Sequence, residues 1–551
     1  MKKQNVAHLI VKCLEQEGVK YVFGIPGEEN INLVHAIGES EIIRFILVRH
    51  EQGASFMADL YGRLTGKAGV CASTLGPGAL NLLMGVADAN TDSCPLVAIS
   101  AQVGINRIYK ETHQVVDLLP MFKATTKWAD MVLTPASVPE MMRKAFDKAQ
   151  KERPGATYIA VPQDVEVMDA EDLVPLTVHP KHESYADDRL IVEAAEKIKS
   201  SKHPVVLVGY GAVRNKAEKE IKEFCNLLNV PVATTFMGKG VYSDKEPNAL
   251  GVVGFMAHDY ENFAYDKADT IIAIGYELQE FAPSKINPKG DKKIIHIHNF
   301  AQDIDADYPV EVSVEGNIPN TLTKLTAELK KLNVKFNISA PKIQELLKEE
   351  RESLANDNSF PVKPQRMVAD TRKALGDEDI VLADTGAIKM WMARLYPTYK
   401  SNTCLIANGL SPMSFSLPGA IGAHFACPDR KILATMGDGS FMMNSQEIET
   451  AVRERVPLKV LIWEDHSYGL IKWKMDMEIH THSNVDFTNP DFKMYAESFG
   501  AHGHRVESAE DLLPTLKKAL AEDGVSVVVC PVDYSENMKL INKLGTLTMP
   551  S

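Results

Sequence analysis

An α/β protein of three doubly wound parallel-sheet domains is what this sequence predicts, on three observations. Short β-branched runs alternate with helix-compatible stretches along the whole chain, the pattern of parallel sheets covered by helices. At 551 residues the chain is too long for one hydrophobic core, and its length suggests about three domains. Two acidic, proline-containing stretches without sustained periodicity, residues 163–189 and 352–365, divide it into thirds, each large enough for its own core. The expected domains are therefore 1–165, 188–340 and 360–551.

The elements follow in order. The start of the chain reads as an amphipathic helix, apolar at Val6, Leu9, Ile10, Cys13 and Leu14, and lacks the long apolar core of a signal peptide. Strands are expected near 20–23, 45–48, 69–74 and 96–100 in the first third. The middle third carries HPVVLVGYGAV, TIIAIGYE and KKIIHIHN; the last carries DIVLADTG, KILATMGDG, LKVLIWED and GVSVVVCPVD. These are strand-like runs, most of them ending in glycine or a polar residue. No tandem repeat is visible.

Composition removes several classes of function. A net charge of −13 leaves no basic face for nucleic acid or an anionic membrane surface. No apolar run reaches membrane-spanning length. Seven dispersed cysteines without CxxC spacing fit free thiols in a reducing compartment, so a cytoplasmic enzyme is expected.

The most informative stretch is residues 431–469. A strand ends at Gly437-Asp438-Gly439-Ser440; a helix-compatible segment follows, apolar at Phe441, Ile448, Ala451 and Val452; a second strand ends at Glu464-Asp465. In a βαβ unit both polar ends emerge at one sheet edge, which brings together Asp438 and Asp465, 27 residues apart. Two carboxylates repel unless a cation lies between them, and the N–H groups of Gly439 and Ser440 favour a phosphate. Magnesium bridging Asp438, Asp465 and a diphosphate meets both demands, with the Ser467 carbonyl as a further ligand. Without a ligand, the same residues would be two ordinary acidic turns.

With GDGS followed by WED, VFGIPGEEN near its start and CPVDYSEN near its end, the chain resembles the acetolactate synthase family of thiamine-diphosphate enzymes over essentially all 551 residues. The resemblance implies the thiamine-diphosphate-binding fold, with pyrimidine-binding, central and diphosphate/Mg-binding domains. It makes Glu51, otherwise a helix-start carboxylate, the acid that hydrogen-bonds the aminopyrimidine. Gln114, beside His113, becomes a residue lining the substrate pocket. Pro26, Gly27, Thr74, Pro77, Gly78 and Asn81 become cofactor contacts from the first domain. From the last domain come Gly386, Ala387, Asn408, Gly409, Met413, Gly437, Ser440, Tyr468 and Gly469. Met413, otherwise a core methionine, would support the cofactor in its bent shape.

Such a cofactor adds to the keto carbon of a 2-keto acid and takes the electrons released as CO2 leaves. What remains can attack a second keto acid, take a proton and leave as an aldehyde, or be oxidised. The resemblance favours carboligation of two pyruvates to 2-acetolactate; the alternatives are an aldehyde-releasing decarboxylase or a ligase for another keto acid. A non-catalytic paralogue is disfavoured because Glu51, Asp438 and Asp465 are all present, and GYGAVRN (209–215) gives only a partial dinucleotide-binding pattern. Biosynthetic synthases hold FAD beside an Arg-Phe-Asp-Asp-Arg run; GYELQEFAP (275–283) does not match it, so FAD is not expected.

Two positions depart from the family. Glu29 stands where flavin-free synthases have lysine, and Trp473 is one position out of register with an acceptor-pocket tryptophan. Lys472 is a candidate to restore the charge lost at Glu29. Glu51 and Asp438 lie in different domains, and in this family they come from different subunits. An obligate homodimer, or a pair of dimers, is therefore implied. The tail ENMKLINKLGTLTMPS either covers the site or frays.

Overall fold

Runs such as Leu96–Gln102, Pro204–Val208 and Thr270–Ile274 are buried at every position, which a strand achieves only between two layers of helix. The chain accordingly builds three parallel sheets clad by helices, in a computed structural model that describes residues 3–180, 182–254, 259–338 and 340–545.

The first sheet comprises β1 (Tyr21–Gly24), β2 (Arg44–Leu47), β3 (Gly69–Ser73), β4 (Leu96–Gln102), β5 (Trp128–Met131) and β6 (Ala156–Pro162), in the order β2-β1-β3-β4-β6-β5. The second comprises β7 (Pro204–Val208), β8 (Val232–Thr234), β9 (Ala249–Val252), β10 (Thr270–Ile274), β11 (Lys293–His298) and β12 (Val310–Glu315), in the order β12-β11-β10-β7-β8-β9. The third comprises β13 (Ile380–Ala383), β14 (Cys404–Ile406), β15 (Ile432–Gly437), β16 (Lys459–Glu464), β17 (His502–Arg505) and β18 (Ser526–Pro531), in the order β14-β13-β15-β16-β18-β17.

The outer sheets share one strand order, position for position, although their sequences show no repeat. In each, the first strand lies between the second and the third. Ligands of open parallel sheets sit at such a reversal, beyond the carboxyl ends of the strands. The middle sheet, read from β9, has the 3-2-1-4-5-6 order of dinucleotide-binding folds, with its own reversal between β7 and β10.

Two helices join the outer domains. Gly422 on the helix Ser416–Ala426 lies flush against the helix Glu51–Thr65, where a Cβ would sit 2.2 Å from the Met57 carbonyl oxygen. Arg63 of the latter helix donates to the Ile406 carbonyl at 2.8 Å. The central domain bears on the third through Lys239, which donates to the Ala393 carbonyl at 3.0 Å.

The expected strands form within a residue or two of their positions, and the opening helix spans Val6–Gln16 with all five named apolar residues buried. The segment after Asp438 forms two helices, Asp438–Asn444 and Glu447–Arg453, rather than one. Seven strands were not anticipated: β5, β6, β8, β9, β12, β14 and β17. The tail forms the helix Glu536–Gly545, and residues 546–551 lie outside the described residues. All seven cysteines are free. No helix among the described residues is long and apolar enough to cross a membrane.

Candidate active site

β15 and β16 pair with Gly437 opposite Trp463, so the turns that follow meet at one edge. There Asp438 is buried, and its Oδ2 accepts the N–H groups of Asp465 (3.1 Å) and His466 (2.7 Å) and the amide of Asn489 (2.8 Å). Burial, reinforced by the charge of Asp438, pushes the Asp465 carboxyl up to about 8. Two carboxylates so placed repel each other, and a cation between them would relieve that repulsion. Among the described residues no three His, Cys, Asp or Glu side chains cluster as a ready metal site, so a cation here needs further oxygens from backbone and ligand.

The backbone around the pair is built for close approach. A Cβ on Gly469 would lie 2.8 Å from Asp465 Oδ2, one on Gly437 would meet nothing within 4 Å, and one on Gly386 would meet only Ile388, at 4.0 Å. These turns open onto a cavity lined by Gly386, Ala387, Met413, Gly437, Asp438, Gly439, Ser440, Asp465, Ser467, Tyr468 and Gly469, with Ile388, Leu470 and Ile471 on its apolar side. Ser467 is buried, its hydroxyl donating to the Val485 carbonyl at 3.3 Å.

Asp384 organises this cavity from beneath. Its buried carboxylate accepts the N–H groups of Thr385 (2.8 Å), Ser414 (2.8 Å) and Ser416 (2.9 Å) and the hydroxyls of Ser416 and Ser440. The Ser440 hydroxyl is thus committed to its own domain. Asn408 and Gly409 are not among the residues lining the cavity. Their N–H groups donate to Asp92 (3.1 and 2.6 Å), and the Asn408 amide donates to the Glu280 carbonyl.

A second cluster forms at the reversal of the first sheet. Glu51 opens the helix Glu51–Thr65 and accepts the Asn81 amide at 3.0 Å. A Cβ on Gly78 would lie 2.9 Å from Thr74 and 3.2 Å from Glu51, and one on Gly27 would lie 2.4 Å from Thr74. Pro26 and Pro77 are exposed beside them. Gly76 has φ +46° and supports the segment carrying Gln114, whose carbonyl oxygen would be 2.8 Å from a Cβ there. Gln114 and His113 are exposed. None of these first-sheet residues lines the cavity at Asp438.

Lys472 and Glu29 each find a partner close by. Lys472 pairs with Asp486 at 3.1 Å, and Glu29 accepts the Thr74 hydroxyl at 2.7 Å. Each is held by a neighbour in its own domain. Trp473 is buried in the core of the last domain, among residues such as Trp391 and Leu540. Sequence reasoning missed Asn489, whose amide reaches Asp438 across 51 residues, and Glu447, which accepts the N–H groups of Arg49 and His50. Neither carries a local pattern that would single it out.

In the central domain the crevice between β7 and β10 is filled from within. Glu280 accepts the N–H groups of Tyr210 (3.1 Å) and Glu277 (3.1 Å) and the Thr235 hydroxyl. A Cβ on Gly209 would lie 2.5 Å from its Oε1. Burial and then the Glu277 charge push Glu280 up to about 8.

Comparison with known proteins accords with this division. Residues 4–121 match the N-terminal TPP binding domain of thiamine pyrophosphate enzymes, residues 191–325 their central domain and residues 384–530 their C-terminal TPP binding domain. The chain is therefore a thiamine-diphosphate enzyme. It is 36% identical to the acetolactate synthase of Bacillus subtilis (strain 168), over 98% of this chain and 95% of that protein. It is 34% identical to the catabolic acetolactate synthase of Raoultella terrigena, over 98% and 97%, and 31% identical to the acetolactate synthase large subunit of Porphyra purpurea, over 96% and 92%. Within the class, it belongs to the acetolactate synthase family.

Proposed function

We propose that the chain condenses two molecules of pyruvate to 2-acetolactate with loss of CO2, using thiamine diphosphate and Mg²⁺ and no FAD. The observation that carries this reading is the pair of buried Asp438 and half-buried Asp465 beside a glycine-lined, partly apolar cavity, in a chain alike over its whole length to acetolactate synthases. The donor set fits the group: two mutually repelling carboxyls at one sheet edge, open space in front of Gly437 and Gly386, and Met413 on the apolar wall.

Asp438 and Asp465, with the Ser467 carbonyl, would hold the metal, while Gly386, Ala387, Gly439 and Ser440 would present backbone to the diphosphate. Thiamine diphosphate, when bound, supplies the electron sink for decarboxylation. Glu51, oriented by Asn81, would hold and return a proton at the aminopyrimidine. Gln114, with the turns at Gly27 and Gly78, borders the keto acid. Asn408 and Gly409 act by holding the segment that ends in Met413.

The two clusters belong to different sheets, and exposed apolar residues flank each. Leu80 and Met84 follow the Glu51 cluster, and Met442 and Met443 follow Asp438. This supports a homodimer, alone or as a pair of dimers, in which Glu51 of one protomer completes the cavity of its partner, and the seven free cysteines support a cytoplasmic location. The Glu280 carboxylate supports the flavin-free reading, since it lies where a dinucleotide phosphate would bind.

The test is an end-point product analysis with pyruvate, thiamine diphosphate and Mg²⁺, with and without FAD. Acetolactate in equal yield under both conditions is expected. Acetaldehyde, or no consumption of pyruvate, would move the function to a decarboxylase or a ligase for another keto acid.

A further inference from the structure

Glu447 opens the helix Glu447–Arg453, just after the helix Asp438–Asn444 that begins at the acidic pair. Its side chain is fully buried, yet it reaches out of its own domain. Oε1 accepts the N–H groups of His50 at 2.9 Å and Arg49 at 3.1 Å; Oε2 accepts the Thr450 hydroxyl at 2.6 Å. Those two amides immediately precede Glu51, where the helix Glu51–Thr65 begins. Backbone N–H groups at a helix start have no partner inside the helix, and an anion placed there is held by both hydrogen bonds and the helix dipole. Gly53, one turn along, completes the fit: a Cβ would lie 2.7 Å from Glu447 Oε1. A carboxylate of the last domain therefore sets where the first domain's helix starts, with Glu51 as its first residue.

We propose that Glu447 is a positioning residue for Glu51, fixing the start of the helix Glu51–Thr65 and tying the aim of Glu51 to the helix that directly follows the one Asp438 opens in the same chain. This rests on the reading of Glu51 as the acid that activates the cofactor. In the proposed dimer Glu51 serves the partner's cavity, so Glu447 mechanically links the metal turn of one site to the activating acid of the other.

Two substitutions disturb the contact in different ways. Glu447→Gln keeps volume and an acceptor oxygen but removes the charge; Gly53→Ala keeps the charge and displaces the carboxylate. The measurements are thiamine diphosphate affinity in Mg²⁺ by calorimetry, melting temperature, KM for pyruvate, kcat, and the rate at which the thiazolium C2 proton of bound cofactor exchanges with deuterium in the absence of substrate. Both variants should lose about tenfold in C2 exchange and kcat, with cofactor affinity and KM within about twofold of wild type. Glu51→Gln separates the two ideas. If it exchanges at the wild-type rate, the assignment of Glu51 fails. If it is slow while Glu447→Gln and Gly53→Ala are unaffected, the positioning role alone fails. A parallel fall in cofactor affinity or melting temperature would equally overturn that role and leave Glu447 a structural contact.

Discussion

Glu280 carries a pH signature that a single substitution removes. Its carboxyl ordinarily titrates near 4.5, and in the folded chain it is pushed up to about 8, first by burial and then by the charge of Glu277. Between those values the folded chain holds a proton that the unfolded chain has released, so stability falls as pH rises through this window. Glu280→Gln removes the titration and keeps an acceptor for the Tyr210 N–H. The wild-type melting temperature should therefore drop more steeply than that of the variant between about pH 5 and pH 8, by a few degrees. Parallel profiles would mean that Glu280 does not titrate in this range. At the acidic pair, Asp438→Ala should weaken thiamine diphosphate binding in Mg²⁺ by about 100-fold or more, because it removes a carboxylate from the cation. Calorimetry returning the wild-type affinity would take Asp438 out of the metal site.

Helices and strands differ in how much of themselves the sequence discloses. Thr270–Ile274 and Lys459–Glu464 are buried throughout and read as strands because their apolar runs have few other uses. β5 (Trp128–Met131) and β17 (His502–Arg505) lie at sheet edges, are half-exposed and carry no apolar run, so nothing local marks them. The same contrast governs the candidate site. Gly437-Asp438-Gly439 and Asp465 are legible because each turn directly follows its own strand. Asp384 gathering Ser414, Ser416 and Ser440, or Glu447 meeting His50, depends on which elements the fold sets side by side. Gly422 is a further hidden requirement, visible only once its helix lies on the helix Glu51–Thr65. Gly422→Ala places a methyl 2.2 Å from the Met57 carbonyl oxygen and forces the two helices apart. It should destabilise the protein by about 1–3 kcal/mol, read as a lower denaturation midpoint, and an unchanged midpoint would show that this packing yields freely.

For the whole molecule, the decisive question is whether the two clusters work within one chain or between two. Glu51→Gln and Asp438→Ala are each expected to be inactive. If the clusters meet across a dimer interface, a mixture of the two variants, unfolded and refolded together, forms hybrids in which one of the two sites is intact. Random pairing then restores about a quarter of wild-type activity. A mixture as inactive as its components would place both clusters in a single chain's site. The central domain holds an arrangement of another kind. Glu280 draws the turns after β7, β8 and β10 together at that sheet's reversal, and on the flavin-free reading proposed above it would compete with a phosphate there at an effective concentration that dilution never lowers. On that same reading, folding of this domain would be uncoupled from vitamin supply, and a cell short of riboflavin would accumulate the enzyme as readily as a replete one.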